Sequence, residues 1–238
     1  MKPSQVNVLL VDLDGTLLQV DLNELIPTYI NMLGSYFSHL MEPEVLAKAL
    51  YATTRATVDN RDPQRTNEEV FFEEFTLRTN FTEEKFRPLL EKFYKEEYPR
   101  LQSLTSPHPY APALLETTMQ KNLDIVLATN PIFPRVAIEE RLRWAKLDTY
   151  PLKLITSIEN MHYCKPHPEY YEEITQLISS DPFYCIMAGN DVNEDLSAAQ
   201  AGMATYLVED NVVNLDQQVP DNTRRGYLQD LVDFVGNL

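Results

Sequence analysis

Cysteine is nearly missing from this chain of 238 residues. It has two, Cys164 and Cys185, and no Cys-x-x-Cys pair. A disulfide framework is not indicated, and a reducing, cytoplasmic compartment is the expectation. No stretch approaches the ~20 apolar residues that a membrane-spanning helix needs. The amino-terminal apolar run is interrupted by acids too soon to make a signal-peptide core. Positive charge is scarce as well: 20 Lys and Arg face 36 Asp and Glu, a formal net charge of −16. That balance argues against nucleic acid or an anionic membrane as the main partner. It leaves an anionic small molecule open, because a metal ion and one lysine serve such a ligand locally. Internal repeats and low-complexity tracts are absent too.

Short apolar runs of strand length stand at 6–11, 123–129, 152–157, 183–189 and 204–208. Helical patterns separate the last four, which predicts βαβ units around a parallel sheet, an α/β fold. Residues 19–99 differ, showing no strand pattern and four helical ones. In the first of these, apolar residues at 22, 25, 26, 29, 30, 33, 36, 37 and 40 follow the 3.6-residue period. The third opens with Thr66 and Glu69 at capping-box spacing. In the fourth, Pro88 suggests a helix start later than the pattern does. Phe71, Phe72 and Phe75 are expected in the core of the helical segment, and Trp144 against the sheet. The expected division is an α/β core of residues 1–18 and 100–238, interrupted by a helical domain of residues 19–99.

Chemistry gathers at the ends of the predicted strands. "VNVLLVDLDGTLL", residues 6–18, runs from a buried strand into Asp12 and Asp14, one residue apart and on the same side of the chain. Two carboxylates so close repel unless a cation or a shared proton compensates. Thr129 and Asn130 end the second strand before a helix start, where a hydroxyl and free N–H groups suit a phosphate oxygen. Lys165 lies in "CKPHPEYY", its direction set by Pro166 and Pro168. Asp191 and Asp195 stand four apart after Gly189, a spacing shared by one helical face. Taken singly these have plainer readings: a turn, a surface lysine, a helix cap. Arg55, Arg61 and Arg65 are candidates for a substrate's distal anion, though exposed arginines usually serve surface pairing. The "HYCKPH" stretch offers too few thiolates for a structural zinc.

The order of these elements resembles the haloacid dehalogenase-like (HAD) superfamily of hydrolases. "DLDGTLL" and "CKPHPEYY" are the specific matches, and the likeness spans essentially the whole chain. It implies a Rossmann-like core with an inserted, all-helical C1-type cap. It also implies a phosphatase acting on a small-molecule phosphate ester through an aspartyl-phosphate. By resemblance Asp12 is the nucleophile and Asp14 the general acid and then base. Mg2+ would be held by Asp12, the Asp14 carbonyl and Asp191. Thr129, Asn130 and Lys165 would bind the phosphoryl group, and Asp195 would support Lys165 or a metal-bound water. Members acting on halogenated acids lack the second aspartate, so Asp14 favours phosphoryl chemistry. Gly189-Asn190-Asp191 departs from the family's Gly-Asp, and leaves a register open in which Asn190 takes the metal position. Two rivals are a phosphoacceptor module, which is about half this length, and a binding or regulatory protein on the same scaffold. The substrate's identity and the oligomeric state are not legible.

Overall fold

The apolar run near the amino terminus becomes the central strand of a parallel sheet. The computed structural model describes residues 6–238. In chain order the elements are β1 (Val8–Val11), β2 (Leu18–Val20), α1 (Leu22–Tyr36), α2 (Pro43–Asp59), α3 (Asn67–Thr79) and α4 (Glu83–Glu96). Then come β3 (Thr105–Pro107), α5 (Ala111–Gln120), β4 (Asp124–Leu127), α6 (Arg135–Trp144), β5 (Leu154–Ile155) and α7 (Pro168–Leu177). β6 (Cys185–Gly189), β7 (Ala204–Val208), β8 (Arg224–Gly226) and α8 (Leu228–Gly236) complete the chain. The sheet order is β5-β4-β1-β6-β7-β8, with every pair parallel.

Why β1 is apolar at every position follows from its place. Leu9 and Val11 join one buried cluster with Leu114, Ile138 and Leu231 of α5, α6 and α8. Val8 and Leu10 face the opposite way, onto Tyr170, Tyr171 and Ile174 of α7. A strand covered on both faces has no polar side to present. From β1 the chain builds β4 and β5 on one side, then returns to lay β6, β7 and β8 on the other. The carboxyl ends of β4, β1 and β6 therefore flank a topological switch point, where open α/β sheets bind ligands.

Helices α1 to α4 all fall between β2 and β3 and share the larger buried cluster with the sheet. Phe75 stacks on Phe86 at 4.3 Å between ring centroids, and Phe37 and Phe93 close the same cluster. The capping box of Thr66 and Glu69 is formed. Helix α4 begins at Glu83, with Pro88 inside it, so Pro88 does not mark its start. Trp144 is buried, but its ring stacks on Tyr98, 5.3 Å away, in the short 3-10 turn Tyr98–Leu104.

Three features differ from the sequence expectation. β2 and β3 form a two-stranded antiparallel ribbon, Leu18 to Val20 against Pro107 to Thr105, that ties together the chain entering and leaving the helices. Three-residue strands carry too little periodicity to be read in advance. β8 adds a sixth strand for the same reason. The segment Asp195–Ala201 is a 3-10 helix rather than an α-helix, ended by Gly202 in the left-handed region.

The helices are also fastened directly to the sheet's loops. Asn67, fully buried at the start of α3, donates its backbone N–H to Met161 O at 2.8 Å. Its Nδ2 lies 3.3 Å from both Pro131 O and Tyr163 O. Asn67→Ala would leave two buried carbonyls without donors. It should lower stability by about 1–3 kcal/mol, read as a shift of the urea midpoint at unchanged slope.

Candidate active site

Parallel pairing sets the level at which the first aspartate stands. Asp12 N donates to Ala188 O at 3.0 Å, and Ala128 N donates to Val11 O at 2.9 Å. Thr129 and Asn190 thus lie just past the ends of the neighbouring strands on either side of Asp12. Beyond Asp12 the chain makes one tight turn, with the N–H groups of Leu17 and Leu18 both reaching Leu13 O at 2.9 Å. Gly15 sits in this turn at φ +84°, and a Cβ there would lie 2.5 Å from Asn190 Nδ2. Only glycine meets both demands.

Lys165 is buried beneath Asp12. Its Nζ lies 2.9 Å from Asp12 Oδ1 and 2.6 Å from Asp195 Oδ1. Burial alone would drive the amine toward its neutral form. The carboxylates of Asp12 and Asp195 hold it charged instead, well above the ordinary lysine range. One ammonium cannot balance two buried carboxyls, so burial lifts the Asp12 carboxyl and raises that of Asp195 to about 7. Gly189 makes room for this arrangement. A Cβ on it would fall 2.1 Å from Asp195 Oδ2, so a side chain there would expel the carboxylate from its place over the strand.

The second aspartate has a partner the sequence reading did not name. Asp14 is ion-paired with Arg141, whose guanidinium is fully buried and lies 4.5 Å from the centroid of the Phe133 ring. Arg141 Nη2 and Asp14 Oδ1 are buried without a hydrogen-bond partner. A signal was available: Arg141 falls at helical spacing among the buried Ala137, Ile138 and Leu142 of α6. A charged residue on an apolar stripe asks for an ion-pair partner.

The remaining candidates divide. Thr129 is buried, with its carbonyl accepting from Tyr170 Oη at 2.9 Å and Thr156 Oγ1 at 2.7 Å, so the strand end is rigidly held. Asn130 donates to Glu194 Oε1 at 3.0 Å, and burial lifts that carboxyl to about 8. Glu194 is a second pocket residue the sequence reading passed over. Asn190 spends its amide on Thr16 Oγ1 at 2.9 Å and Asn211 O at 2.8 Å, clasping the turn after Asp12. Asp191 keeps its carboxylate, which accepts from the N–H groups of Asn193 and Glu194 and from Asn214. Asp191 and Asp195 do not share a direction: the first turns to Asn214, the second to Lys165. Arg61 pairs with Glu169 and Arg65 with Asp62 and Glu73, so these two arginines serve local ion pairs.

Together these groups wall a pocket of about 200 Å³ that includes Asp12, Asp14, Thr129, Asn130, Arg141 and Asp191. Five carboxyl groups line it, with Glu194 and Asp195, against the two cations Arg141 and Lys165. The carboxyl oxygens of Asp12 and Asp191, on the same pocket with few cations opposite them, fit a hard divalent ion such as Mg2+. No three acidic or histidine side chains gather around one point among the described residues. The expected ligand set needs only two side chains and one carbonyl.

The description of haloacid dehalogenase-like hydrolases matches residues 6–202. Pyrophosphatase PpaX of Bacillus mycoides is 24% identical over 205 residues, 86% of this chain and 84% of that protein. A HAD phosphatase from Thermococcus onnurineus has the same fold, with a TM-score of 0.60 at 18% identity over 97% of this chain and 98% of that one. The L-2-haloacid dehalogenase from Xanthobacter autotrophicus shares it too, with a TM-score of 0.56 at 13% identity over 97% and 98%.

Removing the shared cation would expose how much the pocket depends on it. Lys165→Met leaves Asp12 and Asp195 facing each other in a buried site. Stability at neutral pH should fall by about 3–5 kcal/mol. The deficit should shrink as the pH is lowered, because both carboxyls then take up protons and the repulsion disappears. Chemical denaturation of both proteins across the pH range measures it.

Proposed function

The chain belongs to the haloacid dehalogenase-like hydrolase family, and on that premise we propose that it is a Mg2+-dependent phosphatase of small-molecule phosphate esters. The observation that carries the proposal is Asp12 at the switch point, its carboxylate 2.9 Å from a lysine that Asp195 holds from behind. Such a carboxylate is an oriented nucleophile with its charge partly balanced. The name of the Bacillus mycoides relative supports phosphorus chemistry, and the dehalogenase fold neighbour represents the other chemistry on this scaffold. Asp14 separates the two, since a halide departs without a proton and an alkoxide does not.

Asp12 attacks phosphorus, and the bond from phosphorus to the ester oxygen breaks. Asp14 delivers a proton to that oxygen as it leaves. Asp14 then takes a proton from water, which attacks phosphorus and cleaves the bond to the Asp12 oxygen, releasing phosphate. Lys165 and the strand-end groups of Thr129 and Asn130 bind the phosphoryl oxygens. Mg2+, held by Asp12, the Asp14 carbonyl and Asp191, would neutralise charge on the transferring group. Residues 19–99 serve as the cap over residues 1–18 and 100–238, and the β2–β3 ribbon is where the two join. Two free, buried cysteines suit a cytoplasmic enzyme.

Two measurements bear on this. Phosphate release from an aryl phosphate should require Mg2+, stop on addition of EDTA, and fall by at least about 10³-fold in Asp12→Asn. Retained turnover in that variant would remove Asp12 from the nucleophile's role. Asp14→Asn should reduce hydrolysis of an alkyl phosphate far more than that of a nitrophenyl phosphate, whose leaving group needs little protonation. Equal losses in kcat/KM, which reports the steps through departure of the alcohol and not the aspartyl-phosphate hydrolysis that both esters share, would mean that Asp14 does not act as the acid.

A further inference from the structure

The pocket at the strand ends has room for a phosphoryl group and little else, so the leaving group must extend elsewhere. A second cavity of about 500 Å³ lies between the four helices and the loop after β4. Ile26, Ile132 and Phe133 line both spaces, so the two adjoin through an apolar wall. Each helix contributes to the larger chamber, with Ile30 of α1, Leu50 of α2, Phe71 of α3 and Leu90 of α4 among its walls.

Most of the charged groups lining this chamber are already paired. Tyr29 and Tyr94 share a 2.6 Å hydrogen bond between their hydroxyls, which leaves ring surface facing the space. Arg87 pairs with Glu68 and Glu83, and its guanidinium also lies 4.6 Å from the Phe72 ring centroid. Arg135 pairs with Glu139, and Glu159 accepts the Arg135 N–H at 2.8 Å. Both arginines lining the chamber are therefore committed, and an anionic leaving group such as a second phosphate meets no uncommitted cation there. An apolar group meets what it needs. Cavities of roughly 150 Å³ with comparable walls accept benzene, and this one is several times larger.

We propose that the chamber receives the leaving group of the substrate, and that the substrate is a monophosphate ester of an uncharged, apolar alcohol with a medium-length alkyl or an aromatic body. This rests on the phosphatase proposal above and names its substrate class. Phe133 is the dividing residue, with its ring against Arg141, and it lines both the strand-end pocket and the chamber. It separates the charged end of the ester from the apolar end.

The test is a homologous series of n-alkyl phosphates from methyl to octyl, with pyrophosphate alongside, hydrolysed by the intact enzyme with Mg2+. The value of kcat/KM should climb with chain length by up to about fourfold for each methylene that becomes buried. Pyrophosphate should rank below the longer esters. Ile30→Trp, which narrows the chamber, should reduce the climb, with a thermal midpoint near wild type verifying that the variant is folded. Calorimetric binding of octyl and methyl phosphate to the Asp12→Asn protein gives a readout free of turnover, and octyl phosphate should bind at least tenfold more tightly. Hydrolysis that is flat with chain length, or that favours pyrophosphate, overturns the proposed substrate class and leaves the phosphatase standing. Failure of the folded enzyme to hydrolyse any ester overturns both.

Discussion

A single buried ammonium shared by two carboxylates is the constraint from which the site's construction follows. Lys165 is almost wholly inaccessible, and Asp12 and Asp195 approach it from different elements. A buried charge of this kind is tolerable only with partners in good geometry. That requirement explains choices far apart in the chain. Gly189 has no side chain because the Asp195 carboxylate lies where one would go. Tyr171 donates its hydroxyl to Glu194 O at 2.8 Å, which steadies the segment carrying Asp195. Tyr170 braces Thr129 O from the same helix. Two adjacent tyrosines on α7 thus hold the ends of two different strands in register with Asp12.

Arg141 answers the same electrostatic problem on the other side of the pocket. Asp14 would be a second carboxylate near Asp12 with nothing opposite it, and α6 supplies the counter-charge from the buried face of a helix. The result is two separately compensated carboxylates rather than one pair sharing a proton. Each has a distinct neighbourhood, Lys165 for one and Arg141 for the other. Burial lifts the carboxyls of Asp12, Asp195 and Glu194 because two cations do not balance the group, and a divalent ion would answer that need.

How much of this could be read from sequence depends on the range of the interaction. β1, its double burial and the two aspartates at its end were legible because a continuous apolar run broken by Asp-x-Asp-Gly is a local pattern. The capping box at Thr66 was legible for the same reason. Strand order was implied only by resemblance, yet it is what sets Thr129 and Asn190 beside Asp12. Arg141 was legible in principle, as a charge on an apolar stripe, but its partner lies 127 residues away and no local rule names it. The β2–β3 ribbon was not legible, since three residues on either side of an 80-residue excursion hold no periodicity. Gly189 showed as a glycine, but its purpose did not. A turn was the natural guess, whereas the space is reserved for a side chain six residues on.

The division of labour across the pocket follows from dielectric and distance. Charge stabilisation is effective only within a few ångströms and away from water, so lysine, arginine and the carboxylates crowd the strand ends. Those positions are fixed by sheet hydrogen bonds and vary little in geometry. Farther from the strand ends area and shape outweigh charge, and here the walls are helix side chains packed on one another. Helices can exchange Leu for Phe or Ile for Tyr without disturbing the register of β4, β1 and β6. In this chain those walls are aromatic and aliphatic, with their arginines already paired. On the proposed reading, selectivity rests on apolar volume one ring beyond the charges.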